Sequence, residues 1–123
     1  MFLRNRILKV AFLNIHGQTK LPLVKQIQIE DFVKANKIDI LHLQEIEISN
    51  ETFSECSLLA TSYNIICNNS NNSFGTASLI KTDLDYSKVK CDTKGRAIIF
   101  NIGDFTFGNL YAHSGTDNIS RTN

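Results

Sequence analysis

The run Ile38-Asp39-Ile40-Leu41-His42-Leu43-Gln44-Glu45 constrains this chain more than any other stretch of it. It has the length and apolar character of a buried strand, and it ends abruptly in a carboxylate. Ile46 and Ile48 resume the apolar character, but Glu47 between them marks a wet face there. In open α/β sheets, ligands bind outside the carboxyl ends of the strands. A glutamate on that rim is held still enough by its strand to grip a metal ion.

A second strand belongs upstream. Ile7 to Leu13 is nearly continuous apolar sequence, the pattern of a strand buried on both faces. Asn14-Ile15-His16-Gly17 then leaves the strand, with Gly17 permitting a sharp turn. Between the two strands the spacing predicts a helix from about Pro22 or Val24 to Asn36. Val24, Ile29, Phe32, Val33 and Ala35 share one broad face, and Ile27 lies outside it. Such a helix carries the chain back across the sheet, so the two strands run parallel through a right-handed crossover. Asn14 and Glu45 then emerge at the same sheet edge, and two scattered polar residues become a candidate site.

Farther on, Glu51 to Leu59 reads as a short helix capped by Asn50, and Tyr63 to Cys67 as a strand. Asn68 to Ser73 has no core-forming residue and reads as a surface loop. The pattern then turns strand-rich: Thr76 to Lys81, Asp85 to Cys91, Arg96 to Ile102 and Phe105 to Ala112. Thr93-Lys94-Gly95 and Ile102-Gly103-Asp104 separate the later strands at hairpin spacing.

The bulk properties exclude several classes. A chain of 123 residues is one domain at most, and 42% hydrophobic with 20% charged residues is globular, not disordered, composition. A net charge of +1 supplies no overall field for nucleic acid. Cys56, Cys67 and Cys91 are an odd number without a close pair, which reads as reduced thiols of an intracellular protein, nuclear or cytoplasmic. No apolar stretch reaches membrane-span length, and Lys9 and Asn14 interrupt the block a signal peptide needs.

Taken in order, these motifs resemble the endonuclease/exonuclease/phosphatase superfamily with the DNase I-like fold. The resemblance rests on a strand ending in Asn14, a helix, a strand ending Leu43-Gln44-Glu45, then Gly75-Thr76-Ala77, Gly95-Arg96 and Asn109-Leu110-Tyr111-Ala112. It is nearest to the endonuclease domains of non-LTR retrotransposons and runs from about Leu8 to Asn118. It implies an α/β fold: the N-terminal half of a DNase I-like sandwich, with a mixed sheet and one or two helices. It also implies that Glu45 binds Mg²⁺, a hard cation that keeps several waters and needs only one or two carboxylates. Asn14 is implied as an orienting amide, Tyr111 as a hydroxyl reaching the scissile phosphate, and Arg96 and Ser114 as substrate contacts. DNA is the implied partner.

Each residue also has a plainer role open to it. Glu45 can be a surface glutamate, Asn14 a turn former, Tyr111 a core aromatic with a wet tip, and Arg96 a solvated turn residue. The sequence departs from the family at His113, where proline is usual, and Ser114 stands where some members have asparagine. The Asp-x-Asn motif, a late aspartate and a catalytic histidine have no match. Gly103-Asp104-Phe105-Thr106 imitates the first, but with Thr106 for asparagine and ahead of Tyr111. Residues 1–123 are therefore expected to be a partial domain of a Mg²⁺-dependent, retrotransposon-type DNA endonuclease, inactive alone. The alternatives are a fragment of a same-fold phosphatase or phosphodiesterase, and a non-catalytic remnant or binding module. A half sandwich also leaves an apolar sheet face uncovered, which favours association.

Overall fold

The structure is a computed structural model, which describes residues 6–18, 20–49, 51–69 and 74–111. In chain order the elements are β1 (Val10–Gln18), α1 (Leu23–Asn36), β2 (Ile40–Ile46), α2 (Ser57–Ser62) and β3 (Tyr63–Asn68). They continue with β4 (Gly75–Lys81), β5 (Tyr86–Cys91), β6 (Ala97–Ile102) and β7 (Phe105–Leu110). One sheet has the order β1-β2-β4-β3 and the other the order β5-β6-β7. β1 and β2 are parallel, as the crossover argument requires, and every other pairing is antiparallel. The architecture is the expected mixed α/β one.

Three layers result, because β2 is apolar on both faces. Leu41, Leu43 and Ile46 pack with Ile29 and Val33 of α1 and Leu59 of α2. Ile40, facing the other way, joins Ile80, Leu84, Ile98, Phe100 and Ile102 between the two sheets. His42 shares that side, buried between Phe12 at 4.7 Å and Phe100 at 6.0 Å by ring centroids. Burying an apolar side chain in either layer contributes about 1.5–3 kcal/mol, so a central strand committed to both layers holds the sandwich together.

The helices are set by contacts that sequence spacing does not reveal. α1 ends at Lys37, whose left-handed φ of 51° lets the Ile38 N–H bond back to the Val33 carbonyl. Only Ile29 and Val33 of α1 are buried; Val24, Phe32 and Ala35, expected on the inner face, are exposed. The second helix begins at Ser57 instead of Glu51. Its free N-terminal amides, Leu58 and Leu59, donate to the Glu30 carboxylate of α1 at 2.9 and 3.2 Å. An anion there satisfies orphan donors and the helix dipole together. Asn50, the expected cap, lies outside the described residues.

Two strand readings also need correction. β1 starts later than expected and continues through His16, whose φ is 61°. It is an edge strand: Val10, Phe12, Asn14 and His16 are exposed while Ala11, Leu13 and Ile15 lean on the helix-side core. Asn68 is no loop residue. It closes β3 and donates through Nδ2 to the Asp92 and Ala97 carbonyls at 3.2 and 2.8 Å. Next to it, Gly75 is required, since a Cβ there would stand 2.0 Å from the Asn68 carbonyl oxygen.

Candidate active site

Glu45 occupies a β-bulge. Gln44 of β2 faces Thr76 and Ile46 faces Gly75, so Glu45 is the one extra residue in the ladder. Its φ is 55°, in the left-handed region that a non-glycine residue adopts only under constraint. Side chains normally alternate across a strand. Leu43 and Ile46 nevertheless both join the helix-side core, because the inserted residue flips the alternation. Bulges of this kind re-aim side chains.

Two consecutive residues consequently reach the same neighbour, the end of β7. Gln44 Nε2 donates to the Leu110 carbonyl at 3.1 Å and to Asn109 Oδ1 at 3.3 Å. The half-buried Glu45 carboxylate accepts the Tyr111 hydroxyl. The contacts Asn109–Leu43, Leu110–Gln44 and Tyr111–Glu45 step along together, so β7 crosses β2 in the parallel sense. Burial pushes the Tyr111 phenol above its ordinary value, and the Glu45 hydrogen bond and charge push it farther. The nearby Arg96 cation pulls the other way. The net shift is upward, so Tyr111 is a protonated donor at neutral pH.

Arg96 belongs to the same rim. Its carbonyl accepts the Tyr111 N–H at 2.8 Å, extending the β6–β7 ladder by one rung. Its half-buried guanidinium keeps Nε inaccessible and without an acceptor among the described residues. Asn14 is the register partner of Gln44 across β1 and β2, which places it at the same sheet edge as Glu45. Asn14 Oδ1 accepts the His16 N–H at 2.8 Å, the local bond of a turn-forming asparagine. Ser114, together with His113, Asp117 and Asn118, lies outside the described residues.

The rim stands on a buried polar brace that sequence reasoning missed. Asn109 is fully buried. Its Nδ2 donates to the Ala77 and Leu43 carbonyls at 2.9 and 3.2 Å, and to Ser78 Oγ at 3.3 Å. Ser78 Oγ in turn meets His42 Nδ1 at 2.8 Å. One amide from the second sheet thus fastens two strands of the first, directly beneath Glu45. Burial lowers His42 to about 4, so it is a neutral core residue in the brace.

Among the described residues no three His, Cys, Asp or Glu side chains stand close enough together to cage a metal ion. The rim instead offers one carboxylate, Glu45, near neutral amide and phenol groups. That donor set does not suit a closed zinc site, which takes four nitrogen or sulfur ligands. Glu47 is exposed, and Asp104 is exposed in the β6–β7 turn.

No protein-family model matches the sequence, and neither does any curated protein. Solved structures do match it, and they show its fold, which is DNase I-like. Truncated TDP2 of Caenorhabditis elegans superposes at a TM-score of 0.60 with 22% identity, over 89% of this chain and 47% of that one. An AP endonuclease from Archaeoglobus fulgidus gives 0.62 and 23%, over 85% and 41%. The endonuclease domain of TRAS1, a telomere-specific non-LTR retrotransposon, gives 0.57 and 14%, over 94% and 52%. The chain therefore spans about half the length of the structures it matches. No helix among the described residues is long and apolar enough to cross a membrane.

Proposed function

We propose that this chain forms the first half of a metal-dependent DNA endonuclease domain of the retrotransposon type, hydrolysing phosphodiester bonds. The observation that carries the reading is the bulge at Glu45: a strained backbone that turns a carboxylate toward Tyr111 and Arg96. Strain of this kind costs on the order of 1–3 kcal/mol and clusters at functional sites. The fold neighbours include an AP endonuclease and a retrotransposon endonuclease domain, which favours DNA over the phosphatase alternative.

In this reading Glu45 is the protein ligand of Mg²⁺, an ion satisfied by one carboxylate and its own waters. When bound, the ion supplies a Lewis acid for a phosphoryl oxygen and for the leaving oxygen. Tyr111, protonated, donates its hydroxyl to a non-bridging phosphate oxygen. Arg96 offsets phosphate charge with a guanidinium already desolvated at Nε, and Asn14 orients the groups around Glu45. Ser114 adds a phosphate contact. None of the residues assigned a role here is a general base, a role worth roughly a hundredfold to ten-thousandfold in rate.

The test is nicking of supercoiled plasmid. With Mg²⁺, chain 1–123 should nick no faster than its Glu45→Ala variant. A protein continued to the length of the matched nucleases should nick and should lose that activity on Glu45→Ala. Glu45-independent nicking by the longer protein would refute the assignment of Glu45.

A further inference from the structure

One rung of the first sheet is polar from edge to edge. Asn14 is the register partner of Gln44, Gln44 of Thr76, and Thr76 of Asn68. Each stands two residues from a side chain packed on the second sheet's side: Phe12, His42, Ser78 and Ile66 respectively. All four therefore face the second sheet, and three of them reach it. Gln44 holds the end of β7 at the Leu110 carbonyl. Thr76 Oγ1 donates to the Gly95 carbonyl in the β5–β6 turn at 3.3 Å. Asn68 Nδ2 donates to the Ala97 carbonyl at 2.8 Å, the Asp92 carbonyl at 3.2 Å and Asp92 Oδ1 at 3.0 Å.

Asp92 relays that hold to Arg96. Its Oδ1 also accepts the Arg96 N–H at 2.8 Å and the Ala97 N–H at 3.0 Å. The Arg96 carbonyl accepts the Tyr111 N–H, so both backbone polar groups of Arg96 are fixed, one from each side. At the side chain the result is unfavourable taken alone, because Nε is inaccessible and has no acceptor among the described residues. The apolar layer between the sheets, with Ile40, Ile98 and Phe100, is non-directional and sets their spacing. Hydrogen bonds are directional, and these fix how one sheet is registered over the other.

We propose that Asn68 and Asp92 are positioning residues for Arg96: they lock the β5–β6 hairpin to the first sheet, so that the guanidinium stands near the Glu45–Tyr111 pair before a phosphate arrives. The proposal rests on the reading of Arg96 as a phosphate contact and supplies what that reading lacks. Glu45 and Arg96 come from different sheets, so their separation depends on the register that this clamp sets. An arginine already ordered loses little further side-chain freedom on binding. A phosphate oxygen at Nε would also satisfy the stranded donor.

The experiment follows the Arg96 Nε–H by NMR in nitrogen-15-labelled chain 1–123, in EDTA. In the wild type its heteronuclear NOE should equal that of the Arg96 backbone amide. Asp92→Ala and Asn68→Ala should each release it to the mobility of an exposed arginine, while Asp92→Asn, which keeps Oδ1, should hold it. The Leu43 and Ala77 amides should keep their wild-type shifts in all three variants, which separates loss of position from loss of fold. Inorganic phosphate should then move the wild-type Nε–H signal, and Asp92→Ala should raise the dissociation constant roughly tenfold, the worth of one hydrogen bond to a charged group. A mobile Nε–H in the wild type, or one equally rigid after Asp92→Ala, would overturn the positioning role whatever Arg96 binds. A rigid Nε–H that phosphate does not move would overturn the phosphate role on which the positioning rests.

Discussion

Lowering the pH from 7 to 4 should destabilise this protein mainly through one side chain, His42. Its ring is fully enclosed between Phe12 and Phe100 and bonded to Ser78, and burial lowers its pKa from 6.5 to about 4. A depressed histidine pKa means that the unfolded chain takes up the proton first. The stability is complete above 6.5, declines as pH falls from there toward 4, and levels off below. At about 1.4 kcal/mol per tenfold, that gap corresponds to a loss of about 3 kcal/mol. Asp83 and Asp92, held below 3.8 by Arg6 and by backbone and Asn68 donors respectively, lose their contributions only at more acid pH, so the windows do not overlap. The assay is urea unfolding by circular dichroism at fixed protein concentration, at pH 7, 6, 5 and 4.5, for wild type and His42→Leu. Leucine keeps the apolar contacts, and Ser78 Oγ retains the Asn109 donor. The wild-type stability should fall relative to the variant by about 1.4 kcal/mol per pH unit below 6.5. Parallel pH dependences would refute the neutral, enclosed His42.

Two further predictions concern the rim and its brace. Because Glu45 has φ 55°, Glu45→Gly should be more stable than Glu45→Ala by about 1 kcal/mol in urea unfolding, the reverse of the usual order inside a strand. Equal stabilities would mean the bulge carries no backbone strain. Asn109→Leu removes the amide serving Leu43, Ala77 and Gln44, and at about 1–3 kcal/mol per stranded buried group should cost about 3 kcal/mol in the same measurement.

What the sequence discloses and what it hides divide along a physical line. Apolar runs and turn residues report local preference and burial, so the strands β2, β3 and β4 and the two hairpins are legible, as is the parallel crossover joining Asn14's strand to Glu45's, whereas the pairing of β3 with β4 is not. Exposure of Phe12 and Val24 was not legible, because it depends on β1 being an edge and on α1 touching the core along a narrow line. Asn109 enters the sequence reading only as part of a motif with no role of its own, and its burial exists only once the second sheet is laid over the first.

Glu45 is the sharpest case. Nothing local favours a left-handed backbone at a glutamate; glycine or asparagine would be the ordinary choice. The conformation is imposed from two sides. Ile46 is drawn into the helix-side core, and Gln44 is tied to β7. A chain that needed only a bulge there could place glycine at 45 and avoid the strain. Keeping a carboxylate in that conformation, in contact with a protonated tyrosine, is what the metal-binding role proposed for Glu45 would require. The comparison of Glu45→Gly with Glu45→Ala therefore measures what the fold gives up to hold a glutamate at this rim.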